Sequence, residues 1–574
     1  MNSLPSEISR IVIRNLSPEL DAGRFAIKRT LGEKVQVESD IFSDGFDALS
    51  AALKFRHISE DAWTEVSMTE ISPDRWRGAF LVDKLGTYFY TIEVRGDRNA
   101  SATYPVELRV TVDPVLARFG AWYEVFPRSC ANESGRHGTL QDLAQRLPRL
   151  AEMGFDVVYL PPIHPIGRTS RKGKNNALTA QGSDPGSPWG IGASEGGHKA
   201  VHPELGTLDD FRSILTCAHK LNLDIAVDIA LQCSPDHPYV HDHPEWFQWQ
   251  KDGTIRCAES PPHRYEDIFP FDFYCRDWRA LWQELRSIFL FWIEQGVRVF
   301  RVDNPHTKPF AFWEWLLSDL KSRWPQLVFL SEGLTRPNPM IQLARIGFTQ
   351  SYDYFPWRNS KAELTKYYEI LTQSELKEFF RPNLWLNTPQ LLPLPLQYGG
   401  RPAFTTRLVL AATLGASYGI YGPPYELCEA GAAGSNSIDY LNSEQYELRC
   451  WNWDAPHSLK DMITRMNQIR RTNPALHSND RLRFHSVDNE EIIAYTKMNE
   501  DKNNAILTVV NLDPYHSQSG WITLDMAVLG IAPEAQYIAS DLLTGAKYTW
   551  QGARNYVDLN PFTSPAHVLR IETH

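Results

Sequence analysis

The sequence predicts an α/β protein: a (β/α)8 TIM barrel flanked by amino-terminal and carboxy-terminal β-sandwich domains. Three observations carry this. The chain has 574 residues, several times a domain of roughly 100 to 200 residues. Its central part alternates wholly apolar runs with amphipathic helical stretches, the pattern of a parallel sheet covered on both faces. Both ends instead carry short runs of alternating polarity broken by turn residues.

In chain order, residues 1–113 hold the strand-like segments RIVIRN, KVQVESDIF, AALKFRH, RGAFLV, TYFYTIEV and ELRVTV, which read as a β-sandwich. Residues 114–475 read as the barrel. DVVYLPP, LDIAVDIAL, VRVFRVD, LVFLSE, TQSYDYF, NLWLN and SYGIYG are its strands, and DDFRSILTCAHKLN, WRALWQELRSIFLFWIEQ and FWEWLLSDLKSRW are helices between them. Residues 476–574 return to short strands (RLRFHS, EIIAYTK, AILTVVNLD, GWITLD, KYTWQG, NYVDL, AHVLRIE), a second sandwich. Two long segments, residues 167–200 and 233–271, follow early barrel strands and are expected to wall a cleft on the carboxyl-end face.

Composition narrows the function. A net charge of -11 without a lysine or arginine run argues against nucleic acid as a partner. No apolar stretch of about 18 residues predicts a membrane span, and the start MNSLPSEISR lacks the basic and apolar parts of a secretion signal. Seven cysteines with no CxxC pair make no complete disulfide framework, so a reducing cytoplasm is the expected compartment. The 12% of aromatic residues supports sugar stacking only weakly, because the same rings fill cores.

Three acids stand at strand ends: Asp228 in DIAVDIALQC, Asp303 in GVRVFRVDNPHTKP and Glu332 in LVFLSEGLTRP. On a barrel such positions rim the carboxyl-end face. Two carboxyls about 5 to 5.5 Å apart support double displacement at an anomeric carbon, one as nucleophile and one as acid/base. Asp303 and Glu332 are that candidate pair. Arg301, two residues before Asp303, projects from the same side of the strand and is placed to keep the nucleophile ionised. The bland alternative for each acid is a helix cap or a structural ion pair.

FRVDNPHTKP and FLSEGLTRP resemble the nucleophile and acid/base motifs of the α-amylase superfamily, and more narrowly those of the maltose-1-phosphate-dependent α-1,4-glucan maltosyltransferases (GlgE type). The likeness extends through ARFGAWYEVFPRS, MGFDVVYLPPIHPIGRTSRKGKNNALTA, EGGHKAVHPELGTLDDF, QCSPDHPYV, GFTQSYDYF, SYGIYGPPYELCE and SGWITL. It implies a retaining transferase with maltose 1-phosphate as donor, α-1,4-glucan as acceptor, and no cofactor or metal. By this resemblance Asp303 is the nucleophile and Glu332 the acid/base. Lys172 and Gln232 line the donor sugar, and Asn304 and Tyr265 lie near its phosphate.

Three departures stand out. NLWLNTPQLLP puts Gln390 where the family has a third, transition-state-stabilising carboxylate, a charge effect worth on the order of 10² to 10³ in rate. Asp353 is a nearby candidate substitute. ESPPHRY puts Ser260 and His263 where the family's phosphate loop has Asn and Lys, although Arg264 keeps a cation there. A helical insertion that helps build the family's homodimer is missing, which leaves assembly open. Two other readings therefore stand beside transfer: an impaired homologue that binds α-glucan or regulates an active partner, and a hydrolase or transglycosylase using an unphosphorylated donor. His237, His241 and His243 do not match a zinc spacing and read as loop structure. Cys233 reads as a buried small hydrophobe, and the Trp278, Trp282, Phe289, Trp292 stripe as core.

Overall fold

The computed structural model describes residues 10–44, 48–97, 100–260, 263–435 and 437–572. Its centre is a closed barrel of eight parallel strands. In chain order these are β1 (Gly120–Glu124), β2 (Val157–Leu160), β3 (Asp224–Ile229), β4 (Val299–Asp303), β5 (Val328–Glu332), β6 (Gln350–Tyr352), β7 (Pro382–Trp385) and β8 (Ser417–Tyr421). β8 closes onto β1 through the register pairs Gly120 with Ser417 and Glu124 with Tyr421. Every run read as a barrel strand overlaps one; β1 was not among those runs, since its apolar residues are only Ala121, Trp122 and Tyr123 between Gly120 and Glu124.

Side-chain parity sorts each strand. Trp122, Val157, Tyr159, Ala226, Val299, Val328, Leu330, Tyr352 and Trp385 share one core inside the barrel. Their chain neighbours Tyr123, Val158, Val227, Phe300 and Phe329 belong to the core between strands and helices. At the amino end, the Gln350 amide plugs the barrel, donating to Leu116 O, Ala117 O and Ser417 Oγ at 3.1 Å each and accepting from Asn383 Nδ2 at 3.1 Å. Asp228, Arg301, Asp303 and Glu332 sit toward the opposite end, whereas Asp224 opens β3 at the amino end.

Two of the barrel helices start at capping boxes. Thr207 and Asp210 form a capping box for Leu208–Lys220, as Ser360 and Glu363 do for Lys361–Gln373. Helix Trp278–Glu294 buries Leu281, Leu285, Ile288, Phe289 and Trp292, so half of the aromatic stripe is core, while Trp278 and Trp282 are partly buried against it.

The amino-terminal strands form two sheets. One joins Ile11–Ser17, Lys34–Ser43, Arg75–Leu81 and Thr69–Ser72, and the other runs from Ile27–Thr30 through Leu108–Asp113, Gly86–Arg95 and Ser50–His57 to Thr64–Ser67. Asp113, buried at the end of this region, accepts from Lys321 and Arg381 of the barrel. The carboxy-terminal strands make one eight-stranded antiparallel path that wraps over its own core, with Trp550 and Val557 from its two ends in the same apolar cluster.

Candidate active site

Asp303 and Glu332 are register partners on β4 and β5, the last residues of their strands. Strands about 4.8 Å apart in register hold the two carboxyls side by side on the inward face. Arg301, one step down the same face of β4, serves three acids at once: Nη1 lies 2.7 Å from Asp228 Oδ2 and 2.7 Å from Asp303 Oδ1, and Nη2 is 3.5 Å from Glu332 Oε2. Tyr159 donates to the same Asp228 oxygen. All of these groups are buried or nearly so, which makes the single guanidinium decisive.

The residue after Asp303 completes the arrangement. Asn304 is left-handed (φ 42°, ψ 49°), a conformation asparagine tolerates. This turns its backbone N–H onto Glu332 Oε2 at 3.1 Å and its Nδ2 onto Asp303 Oδ2 at 3.2 Å. Lys308, buried below, donates to Asn304 O at 3.1 Å.

Burial shifts three of the groups gathered here. Burial pushes the Glu332 carboxyl up to about 7 against the pull of Arg301, with Asp303 adding to the rise. Asp228 likewise rises to about 7, through burial first. Burial lowers Lys308 to about 8. A carboxyl protonated near neutrality beside a second one held by an arginine is the division of labour that acid/base and nucleophile require.

The remaining predicted residues lie on the segments that follow β2, β3, β6 and β7. Lys172 is buried and donates to Glu266 Oε2 at 2.6 Å; next to it, burial raises Asp267 to about 6 while Lys172 opposes the rise. Gln232 reaches Trp189 O at 3.5 Å. Tyr265 lies close enough to Asp267 and Asp303 for their charges, after burial, to lift its hydroxyl. Ser260 and His263 pair in the ribbon of Ala258–Ser260 with His263–Tyr265, and their side chains lie outside the described residues. Gln390 sits in a tight turn after β7, where Thr388 and Leu391 exchange backbone hydrogen bonds at 3.0 Å and Thr388 Oγ1 lies 3.5 Å from Gln390 Oε1. Asp353 does not face the acid cluster: it accepts from Phe355 N–H at 3.0 Å and Tyr368 Oη at 3.1 Å. It is therefore no substitute charge at the site.

The two long segments follow β2 and β3 and are zipped to each other. Ser234 N–H donates to Ile191 O at 2.7 Å, and Asp236 accepts from the N–H groups of Arg168 (2.6 Å) and Thr169 (2.7 Å). The sequence reading missed Glu124. Sharing Trp122's parity on β1, it points into the barrel, 1% exposed, with Oε2 lacking a hydrogen bond, and burial lifts its carboxyl well above the ordinary range. Extending the period of two from Trp122 by one step would have found it. Among the described residues, no group of three or more His, Cys, Asp or Glu is arranged to hold a metal ion, and no helix is long and apolar enough to cross a membrane.

A closed parallel barrel with a strand-end Asp, a strand-end Glu and an arginine between them defines an α-amylase-type catalytic domain. The family model described as "Alpha amylase, catalytic domain" matches residues 124–278. Solved structures share the fold: a maltogenic α-amylase from Thermotoga neapolitana (TM-score 0.63, 21% identity, covering 80% of this chain and 100% of that one) and an α-amylase from Geobacillus thermoleovorans (0.60, 16%, 79% and 98%).

The flanking regions narrow the assignment. Residues 9–152 match the model "Alpha-1,4-glucan:maltose-1-phosphate maltosyltransferase, domain N/S", and residues 484–571 match "GLGE, C-terminal". Relatives named alpha-1,4-glucan:maltose-1-phosphate maltosyltransferase are 43% identical over 646 positions in Chlorobaculum tepidum (98% of this chain, 96% of the relative) and 42% over 639 in Methylacidiphilum infernorum (98% and 96%). One in Salinibacter ruber is 41% identical over 650 (99% and 97%). The chain belongs to the α-1,4-glucan:maltose-1-phosphate maltosyltransferase family. The first of these alignments is 72 positions longer than the 574-residue chain, so that relative carries residues with no counterpart here.

Proposed function

We propose that this protein moves maltosyl units from maltose 1-phosphate to the non-reducing end of α-1,4-glucans with retention of configuration, a step of glycogen-like glucan synthesis in the cytoplasm. The observation that carries the reading is the register pair Asp303 and Glu332 about one guanidinium, in a chain 43% identical to a relative of that name across 98% of its length.

Chemically, an Asp303 oxygen attacks C1 of the donor sugar. The C1–O bond to phosphate breaks, and Glu332 gives its proton to the departing oxygen. The acceptor's 4-hydroxyl then loses its proton to Glu332 and attacks C1, breaking the ester to Asp303. Two inversions give retention. Arg301 donates to Asp303 and Asn304 holds Glu332 against it. Lys172 and Gln232 line the donor sugar, while Tyr265, Asn304, Ser260 and His263 lie toward the phosphate. Gln390 offers the ring hydroxyls an amide without charge, and two chains associate as a homodimer.

The test is phosphate release from maltose 1-phosphate with a maltooligosaccharide acceptor, followed by mass spectrometry of the products. Phosphate release matched by growth in steps of one maltosyl unit is expected. Chain growth from maltooligosaccharides without maltose 1-phosphate would replace this reading with an unphosphorylated donor. Silence in the wild type with activity in Gln390→Asp would identify an impaired catalyst.

A further inference from the structure

The two cleft segments meet at a pair of buried histidines whose hydrogen bonds allow one proton arrangement. His237 Nδ1 accepts from Tyr239 N–H at 3.0 Å, so its proton is on Nε2, 3.1 Å from His198 Nδ1. His198 Nδ1 is thereby an acceptor, and its Nε2–H donates to Ala230 O at 2.9 Å. Every ring nitrogen is used, and the relay runs in one direction from the 233–271 segment through the 167–200 segment to the end of β3.

The surroundings are built to the ring. A Cβ on Gly192 (φ +105°) would come within 2.2 Å of the His237 ring, and one on Gly197 within 2.1 Å of its Nε2, so His237 is wedged between two backbones that only glycine permits. The other groups facing the pair are the rings of His164, Tyr239 and Phe271, with the Lys199–Glu284 ion pair bound to Tyr239 beyond them. Burial holds both histidines neutral.

The relay ends on Ala230 O, which also accepts the N–H of Gln232 at 2.9 Å in a tight three-residue turn. Gln232 in turn pairs with Pro270 in a short ribbon, tying the turn to the segment that carries Tyr265. We propose that the His198–His237 relay fixes the Ala230–Gln232 turn and thereby sets Gln232 against the donor sugar, making both histidines positioning residues for maltosyl transfer. This rests on the donor-pocket reading above.

Two conservative variants separate positioning from plain structure. Asparagine at 237 retains an acceptor for Tyr239 N–H but cannot reach His198; glutamine retains a donor for His198 Nδ1 but gives up the Tyr239 bond. If the relay positions Gln232, His237→Asn raises KM for maltose 1-phosphate about five-fold, the effect of one hydrogen bond, while His237→Gln stays within about two-fold of wild type. The thermal midpoints are expected in the opposite order, Asn above Gln. KM values that follow the thermal order, or that do not change in either variant, overturn the proposal. If the wild type releases no phosphate, the functional reading fails by itself. Maltose affinity by calorimetry on the same three proteins then reads the relay directly: the same ranking upholds it, and equal or absent binding in all three overturns it.

Discussion

The rims of β4–β5 and of β7 are built differently. At β4–β5, strand register sets Asp303 beside Glu332, and Arg301 two residues earlier holds them both. Each functional group there is the end of a regular element, so its place follows from the barrel. At β7, Gln390 lies five residues past the strand in a turn, with only the 3.5 Å contact from Thr388 on its side chain among the described hydrogen bonds. The first arrangement fixes charge by geometry, whereas the second leaves chemistry to whichever residue the turn presents. A substitution at the second is thus tolerated by the fold in a way that one at the first is not.

Four changes break or sharpen that contrast. Asp303→Ala removes the proposed nucleophile and is expected to lower phosphate release by at least about 10⁴-fold in a steady-state assay. Arg301→Ala leaves buried carboxylates without their cation and is expected to destabilise the protein by about 3–5 kcal/mol in urea unfolding. Gln390→Asp restores a charge opposite the developing cation and is expected to raise kcat by on the order of 10² to 10³, with little change in the unfolding midpoint. An unfolding change as large as that of Arg301→Ala would show that the β7 turn is as constrained as the β4–β5 rim.

The fourth change is read against pH. Glu332 must start the first step protonated, and its carboxyl stands at about 7, so the rate is expected to fall about tenfold per pH unit well above 7; Glu332→Gln abolishes that limb. The same shift has a stability sign. The folded carboxyl holds its proton more tightly than the unfolded one, whose ordinary value is 4.5, so stability falls as pH rises from about 4.5 through about 7. Glu332→Gln is expected to flatten that decline in urea midpoints measured at pH 5 and 8.

Legibility in the sequence followed the same divide. Asp228, Arg301, Asp303 and Glu332 could be placed from period-two alternation at the ends of apolar runs, and their contacts agree with it. Glu124 was missed because β1 itself was not read: only three consecutive apolar residues, Ala121, Trp122 and Tyr123, stand between Gly120 and Glu124. Strand Gln536–Asp541 was missed for a related reason, since QYIASD has only Tyr537, Ile538 and Ala539 as apolar residues, in one short run without alternation. Asp353 looked available from its strand-end position. Its capture by Tyr368, fifteen residues on, depends on how helix Lys361–Gln373 packs, which no local pattern encodes. The His198–His237 relay joins residues thirty-nine apart and was invisible for the same reason.

The most direct test of the central claim is to trap the covalent intermediate. In Glu332→Ala supplied with maltosyl fluoride, departure of the leaving group needs little proton assistance, whereas the second step lacks its base, so the glycosyl enzyme accumulates. Peptide mapping by mass spectrometry is expected to find one maltosyl ester, on the peptide containing Asp303. An adduct on Asp228 or another residue, or none while the sugar is still transferred, would contradict the account.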